Sequence, residues 1–398
     1  MLSAAAVRTR AQMVFDAGRA GRLAHFSLHD ARLDAAARYV AETIRQNYPS
    51  LVVPPHARWR HFVIDGQDRW MALARTLDAD RAERARIRFD LAVTSVLLDA
   101  GAGPDWRWRD ALTGRDTARS EGLALASLAL FATGRMSSNR ARPWQADAAG
   151  LQRISIADIA AAFQVSPTNP LLGLDGRTAL LNRLGNRIAA APHLFGKDQR
   201  IGGLFDTLVA RAGGTSIAAP DILALLLEAL GPIWSGRLAI DGVDLGDTWR
   251  HPAIDSPGPT QGLIPFHKLS QWLAYSLIEP LQEAGHPVVD LDGLTGLAEY
   301  RNGGLFLDLE VITAKDPRLL GGQHSPGDEP IVEWRALTVA LLDAVAPLVR
   351  HQLGKSAAEM PLAAILEGGT WSAGRRIAAE KRKGGAPPLT IISDGSVF

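Results

Sequence analysis

Apolar residues recur at helical spacing along most of this chain, and this periodicity constrains its fold more than any other feature. Between residues 33 and 44, for example, Leu33, Ala36, Val40 and Ile44 fall on one face. The i, i+3, i+7 spacing is that of a helix with one buried side. Comparable patterns predict two helices within 3–46 and further helices at 81–98, 120–131, 154–163, 177–191, 217–230 and 333–353. The chain is therefore predicted to be mainly α.

Strand signals are few and short. Residues 236–246 alternate enough for a hairpin around Asp241-Gly242, and residues 287–291 form another candidate strand. Apolar residues continue up to Phe398, which predicts that the C-terminal end docks onto the fold.

The chain shows no repeat of fixed period and no long Pro/Gly/Ser linker. We therefore predict one large helical domain over 1–398, with a few short strands or hairpins. Within it, an N-terminal helical part covers about 1–135 and a C-terminal part about 150–398.

Composition limits the classes of function. The 43 Lys and Arg residues nearly balance the 42 Asp and Glu residues, so no global charge attracts nucleic acid. The absence of cysteine excludes disulfides, thiolate zinc sites and cysteine nucleophiles. No apolar run approaches a membrane span, and the first residues resemble an ordinary helix rather than a signal peptide. We expect no nucleic-acid partner, no membrane association and a cytoplasmic location.

The familiar catalytic signatures, such as the P-loop, the dinucleotide fingerprint, the zincin motif and the nucleophile elbow, are absent. Histidines still leave one alternative open, because His56, His251 and His267 could bind a divalent metal such as zinc together with a carboxylate. Their spacing is not diagnostic. The main expectation is that the protein uses no metal and no cofactor.

Ionisable residues are concentrated between positions 266 and 304, where an amphipathic helix is followed by a predicted turn-rich loop. In that loop Glu299, Tyr300, Arg301 and Asn302 stand directly before two glycines. A turn needs only Gly, Asn or Asp, so the additional functional groups indicate a site. Lys268 is the one lysine inside an apolar helical segment.

Two clusters combine arginine with tryptophan, at residues 58–61 (RWRH) and 106–109 (WRWR). Arginine binds phosphate with a bidentate fork and stacks on tryptophan. Arg58, His61 and Arg109 are therefore candidates for phosphate binding. The alternative interpretation is that these arginines pair with nearby acids or cover apolar surface.

Several longer runs carry a resemblance to a known family. These are SVLLDAGAGPDWRW (95–108), RSEGLALASL (119–128), GLIPFHKLSQWLAYSLIEPL (262–281), LDGLTGLAEYRNGG (291–304), VEWRALTVALLD (332–343) and EGGTWSAGR (367–375). They resemble the uracil-catabolism protein 4 family over essentially the entire chain. The resemblance implies a pyrimidine-degradation route in which the uracil ring is opened while attached to ribose phosphate, leaving a ribosylurea-type intermediate.

A more distant likeness covers roughly the C-terminal half. FHKLSQ, LTGLAEYR and VEWRALTVALLD are similar, in the same order, to the FYKRAQ, LTMFADYR and EVEIRA-type motifs of the queuosine 5'-phosphate N-glycosylase (queuosine salvage) family. This likeness implies an all-helical, DNA-glycosylase-like fold and hydrolysis of an N-glycosidic bond on a ribose 5-phosphate. Lys268 falls on that family's lysine, and Glu299 stands where the family has an aspartate.

Cleavage of a ribosyl C–N bond passes through an oxocarbenium-like state. Glu299 would stabilise its positive charge, activate water or attack the anomeric carbon, and Tyr300 would donate to the departing urea. Lys268 and Arg301 would neutralise a phosphate or orient Glu299. The structural alternative for Glu299 is a helix cap or an ion pair with Arg301. The remaining candidates for substrate binding are His267, Asp247, His251, Asn302 and Arg335.

The sequence thus predicts an enzyme that hydrolyses a ribosylurea (5-phosphate) to urea and ribose 5-phosphate, with a small ribosyl phosphate as its binding partner. One alternative is a metal-dependent amide or urea hydrolase of the same pathway. Another is a non-catalytic binding or scaffold protein for the ring-opening enzyme. Association with other uracil-catabolism enzymes is also left open.

Overall fold

The computed structural model describes residues 1–234 and 238–392, and most of them are helical. Helices account for 56% of the chain, which confirms the mainly α prediction. The α-helices of the described residues are α1 (Ala4–Arg19), α2 (Leu33–Asn47), α3 (Arg69–Ala74), α4 (Arg81–Leu97), α5 (Arg119–Ala132), α6 (Ala148–Gln152), α7 (Ile156–Ala162), α8 (Leu174–Ala190), α9 (Pro192–Phe195), α10 (Gly203–Ala212), α11 (Ala219–Leu230), α12 (Lys268–Glu283), α13 (Tyr300–Asp308), α14 (Arg318–Gly321), α15 (Glu329–Leu353), α16 (Leu362–Ile365) and α17 (Trp371–Lys381).

Strands are two or three residues long wherever the structure describes them, and they pair two by two. They are β1 (Phe26–Leu28), β2 (Val63–Ile64), β3 (Gln67–Asp68), β4 (Trp108–Arg109), β5 (Asp116–Thr117), β6 (Ile217–Ala218), β7 (Ala239–Ile240), β8 (Val243–Asp244), β9 (Thr248–Arg250), β10 (Leu263–Pro265), β11 (Val288–Val289), β12 (Ile312–Ala314), β13 (Gln323–His324) and β14 (Thr390–Ile391). Pairing is antiparallel except in β6–β11 and β13–β14. Ladders this short hold neighbouring chain segments together but do not form the core of a sheet.

The predicted hairpin is present as β7 and β8, which pair antiparallel across Asp241 and Gly242. Both turn residues have positive φ, at 50° and 77°, as a two-residue hairpin loop requires. The predicted range begins at Gly236, which lies outside the described residues. The strand predicted at 287–291 is present as β11. The predicted docking of the C-terminal end is seen as far as β14, which pairs with β13. Residues 393–398 lie outside the described residues.

Internal contacts group the chain into two compact units. Unit 1 comprises residues 1–56, 238–271 and 290–392, and unit 2 comprises residues 57–234 and 272–289 of the described chain. The interpretation of 1–398 as one domain stays a prediction. Among the described residues, no helix has both the length and the apolar character needed to span a bilayer.

Helix α15 forms the centre of unit 1. Every residue from Ile331 to Leu342 is buried, so this half of the helix has no solvent face. A helix buried all round requires neighbours on several sides. Helices α1, α2 and α13 pack against it, and α17 packs in turn against α13 and α2.

Unit 2 is organised around α4 and α5, which pack against each other and bury most of their length. At its α4 face, Asp90 is fully buried and accepts hydrogen bonds from the Arg200 guanidinium and from the Gly202 N–H. Burial outweighs these bonds and raises the pKa of Asp90 to about 6.

The stretch after Glu299 differs from the prediction. We expected a turn-rich loop there, but Tyr300–Asp308 is the helix α13. The sequence Asn302-Gly303-Gly304 has a low helix propensity, yet a Cβ on Gly303 would lie 2.6 Å from the Trp334 ring. Gly303 therefore permits close packing of α13 against α15, and this tertiary contact overrides the local turn signal.

Helix α17 approaches α13 so closely that a side chain cannot fit between them. A Cβ on Gly374 would lie 2.1 Å from the Arg301 carbonyl oxygen. We expect Gly374→Ala to lower the free energy of unfolding by about 1–3 kcal/mol because the backbones must separate. Urea denaturation monitored by circular dichroism measures this change.

Gly176 is the matched control, because it lies inside α8 and a Cβ there would meet nothing within 4 Å. Gly176→Ala should be neutral or stabilise by up to about 1 kcal/mol through helix propensity. Equal midpoints for the two variants would contradict the close-packing interpretation.

Candidate active site

A buried ion pair joins Asp247, in the loop before β9, to Arg335 on α15. The guanidinium donates two parallel hydrogen bonds to the carboxylate, at 2.9 and 2.8 Å, and the Trp249 Nε1–H adds a third at 2.7 Å. Burial opposes ionisation of Asp247, but the Arg335 charge and these bonds outweigh it and hold its pKa far below the usual range. Asp247 is therefore a permanent anion matched to a permanent cation.

The same pair fixes two chain segments of the candidate site. The Asp247 carboxylate accepts from the Lys268 backbone N–H at 3.1 Å, at the start of α12. Arg335 lies over the Phe266 ring at 4.1 Å and donates from Nε to the Ala298 carbonyl at 3.4 Å. Since protein groups engage both side chains, this geometry favours positioning over the predicted substrate contact.

Glu299 is the N-cap of α13. Its two carboxylate oxygens accept from the backbone N–H groups of Arg301, at 2.7 Å, and Asn302, at 2.5 Å. The side chain is buried, and burial raises the pKa of Glu299 above its usual value, although both N–H donors and the charges of Lys268 and His56 act in the opposite direction. A buried carboxyl group with a raised pKa can exchange a proton nearer neutral pH.

The capping role is the structural alternative that the sequence left open for Glu299. It does not use up the carboxylate, because each oxygen has a second lone pair beyond the one that accepts from an N–H group. The N-terminus of α13 also presents its positive dipole end to this carboxylate. Capping and reactivity are therefore compatible in one side chain.

Lys268 and Tyr300 share the neighbourhood of Glu299. Lys268 is the first residue of α12, and its charge lowers the pKa of Glu299. Tyr300 follows Glu299 directly, and its ring lies 5.0 Å from the Arg301 guanidinium carbon. The structure thus brings the three predicted catalytic residues into one part of unit 1.

The next three predicted contacts are held by backbone partners. Arg301 is buried and donates to the Gly385 carbonyl at 2.9 Å, and Asn302 donates to the Leu297 carbonyl at 3.2 Å. Within the described chain, the Asn302 Oδ1 atom is buried without a hydrogen-bond partner. His267 has a positive φ of 47°, and its Nε2 bonds to the Met1 carbonyl at 3.1 Å. Burial lowers the pKa of His267, so it is neutral at pH 7.

His251 belongs to a separate buried network. Its Nδ1 accepts from the Ala253 N–H at 3.2 Å, so Nε2 carries the proton and donates to Glu333 at 3.3 Å. Glu333 also accepts from the backbone N–H groups of His25 and Phe26. These contacts fasten the start of β1 to α15, which is a structural task.

The alternative metal set of His56, His251 and His267 is not assembled. Each of these histidines has a different partner, and in residues 1–234 and 238–392 no three His, Asp or Glu side chains are grouped so as to hold a metal ion.

His56 instead pairs with Glu367, a residue that the sequence interpretation missed. The His56 Nδ1 and Glu367 Oε2 atoms are 2.6 Å apart, and both side chains are buried. The Tyr48 hydroxyl donates to the other Glu367 oxygen at 3.4 Å, and the Trp371 ring lies 5.8 Å from the His56 ring. The run EGGTWSAGR at 367–375, which carries the family resemblance and begins with Glu367, was the sequence signal that could have identified this residue.

The remaining three candidates lie in unit 2. Arg58 is fully buried, pairs with Asp99 at 3.0 Å and donates to the Ser95 hydroxyl at 2.7 Å. His61 meets the Trp272 ring edge-on at 5.4 Å, and Arg109 is an exposed partner of Asp116. For Arg58 and Arg109 these contacts favour the alternative of pairing with nearby acids. The phosphate-binding role of all three stays a prediction.

Breaking the buried ion pair leaves a charge without its partner. We expect Arg335→Met to lower the free energy of unfolding by about 3–5 kcal/mol, as measured by urea denaturation. Asp247→Asn combined with Arg335→Met should cost less than the sum of the single changes, because the two sites are coupled.

The exposed pair of Arg318 and Asp316 provides the control. Arg318→Met should leave the unfolding midpoint almost unchanged, since solvent screens that pair. Additive effects of Asp247→Asn and Arg335→Met would contradict the coupling.

Comparison with known proteins places this chain in a family. The family model described as "Protein of unknown function (DUF1688)" matches residues 1–398. Protein urg3 of Schizosaccharomyces pombe is 37% identical over 408 residues, which cover 100% of this chain and 98% of that protein. Uracil catabolism protein 4 of Lachancea kluyveri is 36% identical over 433 residues, again covering 100% and 98%. The resemblance to the uracil-catabolism protein 4 family is thereby confirmed, and the chain belongs to the DUF1688 family.

Proposed function

We propose that this protein is a hydrolase of uracil catabolism that cleaves the N-ribosidic bond of a ribosylurea (5-phosphate), giving urea and ribose 5-phosphate. The name of the Lachancea kluyveri relative supports the pathway. The observation that carries the reaction is the buried Glu299 carboxyl group, with its raised pKa, beside Lys268. A carboxyl group of this kind is what hydrolysis at an anomeric carbon uses.

In the proposed reaction the C1'–N bond breaks and its electron pair goes to the urea nitrogen. The ionised Glu299 stabilises the positive charge that develops at C1' and takes a proton from the attacking water. The water oxygen bonds to C1', and the departing nitrogen gains a proton. Nothing is oxidised or reduced.

Lys268 supports Glu299 electrostatically in this proposal. Its positive charge lowers the pKa of Glu299 and so favours the ionised form against the effect of burial. Tyr300 is a candidate donor to the urea carbonyl or nitrogen, since it adjoins Glu299 on the first turn of α13. Arg301, which is bonded to the Gly385 carbonyl, contributes orientation rather than direct phosphate contact.

The substitution Glu299→Gln tests the proposal. We expect kcat for urea release from ribosylurea 5-phosphate to fall by roughly 10²-fold or more, because an amide cannot accept the proton of water. Urea and ribose 5-phosphate are measured together in the same reaction.

The variant Asp147→Asn is the control for the effect of altering a buried helix cap. Asp147 is a buried carboxylate that caps α6 through the Gly150 N–H at 2.8 Å, and it belongs to unit 2. That variant should keep its urea release. Binding of the substrate without turnover by the wild type would instead support a scaffold protein.

The pH dependence of the reaction has a definite sign. Glu299 acts as an anion and its pKa is raised, so kcat should fall with decreasing pH through a pKa above the ordinary value for glutamate. In Lys268→Met, a charge that lowers this pKa is removed, and the acid limb should move to higher pH. Profiles of kcat against pH measure both effects.

Lys315 provides the control, because it lies elsewhere in unit 1 and donates to the Leu23 carbonyl. Lys315→Met should leave the acid limb in place. An acid limb that Lys268→Met does not move would show that Lys268 does not act on Glu299.

A further inference from the structure

His56 and Glu367 form a buried imidazole–carboxylate pair that the reaction described so far does not use. Their Nδ1 and Oε2 atoms are 2.6 Å apart. An ionised carboxylate can only accept a hydrogen bond. The His56 Nδ1 atom therefore carries a proton and donates a hydrogen bond to Glu367. Nε2 is then the nitrogen at which this imidazole gains and loses a proton.

The backbone around Glu367 is built to hold this pair. Residues Leu366–Thr370 form a π-helical turn between α16 and α17, and such turns are frequent at functional sites. A Cβ on Gly368 would lie 3.0 Å from both the Tyr48 ring and Val53, and a Cβ on Gly369 would lie 2.7 Å from Val40 on α2. The two glycines allow the turn to pack closely against α2 and the segment between α2 and His56.

The His56 backbone is fixed as well. Its N–H donates to the Ala363 carbonyl at 2.9 Å, one turn before Glu367. The Tyr48 hydroxyl donates to the second Glu367 oxygen, so both carboxylate oxygens are engaged. A histidine held at Nδ1 and by its own backbone has a defined ring orientation, as proton transfer requires.

His56 also acts on Glu299. The π-helical turn that carries Glu367 packs against α13, whose N-cap is Glu299, and a positive charge on His56 lowers the pKa of Glu299. The His56–Glu367 pair and Glu299 therefore belong to one site within unit 1. Among the described residues, His61, His251 and His267 are the other buried histidines, and the last two have the structural partners described above. His56 is therefore a buried histidine whose carboxylate partner lies on a turn that contacts the helix capped by Glu299.

We propose that His56 is the catalytic acid that protonates the departing urea nitrogen, and that Glu367 is its positioning residue. This inference rests on the proposed function. As the C1'–N bond breaks, its electron pair moves to nitrogen and the His56 Nε2 proton is delivered there. Glu299 meanwhile takes the proton of the water whose oxygen bonds to C1'. Return of that proton from Glu299 to His56 through solvent restores both groups, and the sum is urea, ribose 5-phosphate and no net proton.

Leaving-group acidity separates this role from a structural one. Urea needs a proton to depart, whereas 4-nitrophenolate departs without one. With ribosylurea 5-phosphate, His56→Gln should lower kcat by about 10²–10⁴-fold. With 4-nitrophenyl ribofuranoside 5-phosphate, the same variant should stay within about tenfold of the wild type. Glu367→Gln should show the same selectivity to a smaller degree, and Glu299→Gln should lose both activities.

His251→Gln is the matched control, since His251 is also buried and paired with a glutamate, Glu333. It should change kcat for the two substrates by the same factor, and circular dichroism and melting temperature should show that every variant folds. A His56→Gln enzyme that loses both activities equally, or neither, overturns the proposal while urea release by the wild type upholds the proposed function. A wild type that releases no urea overturns the proposed function and this inference together.

Discussion

The buried ion pair of Asp247 and Arg335 is the contact on which the candidate site depends. Neither charge can be removed alone without leaving the other buried and uncompensated. Through its side-chain hydrogen bonds the pair sets the start of α12, and through Arg335 it reaches the Ala298 carbonyl, directly before Glu299. Lys268 and Glu299 are thus positioned by Asp247 and Arg335, whose side chains bond to protein groups.

The N-terminus of α13 adds a second constraint, which acts on the ionisation of Glu299. The N–H groups of Arg301 and Asn302 stabilise the charged form of Glu299, while burial destabilises it. Burial prevails, so the pKa of Glu299 is raised, whereas the Arg335 charge holds the pKa of Asp247 below its usual value. Unit 1 therefore contains two buried carboxylates whose environments drive their pKa values apart, which is the arrangement that divides structural from reactive roles.

The helical pattern made most of the fold predictable, because burial on one face leaves a visible period. The motif runs also indicated Lys268 and Glu299, whose roles stay a prediction. Two features were hidden. Helix α13 was predicted as a loop, since its glycines signal a turn until the packing of Trp334 is known. Glu367 was missed because its partner His56 is 311 positions away, and a π-helical turn has no periodic signature.

The division of unit 1 into three chain segments has a consequence for biosynthesis. His56 belongs to the first segment, Lys268 to the second, and Glu299 and Glu367 to the third. At about 5–20 residues per second, the ribosome needs roughly 15–60 s to go from His56 to Glu367. Until α15 has been translated, the apolar faces of α1 and α2 lack the helix that packs on them in unit 1. The N-terminal helices of a nascent chain therefore expose apolar surface of the kind that chaperones bind, and a message truncated before α15 yields a product with no native unit 1.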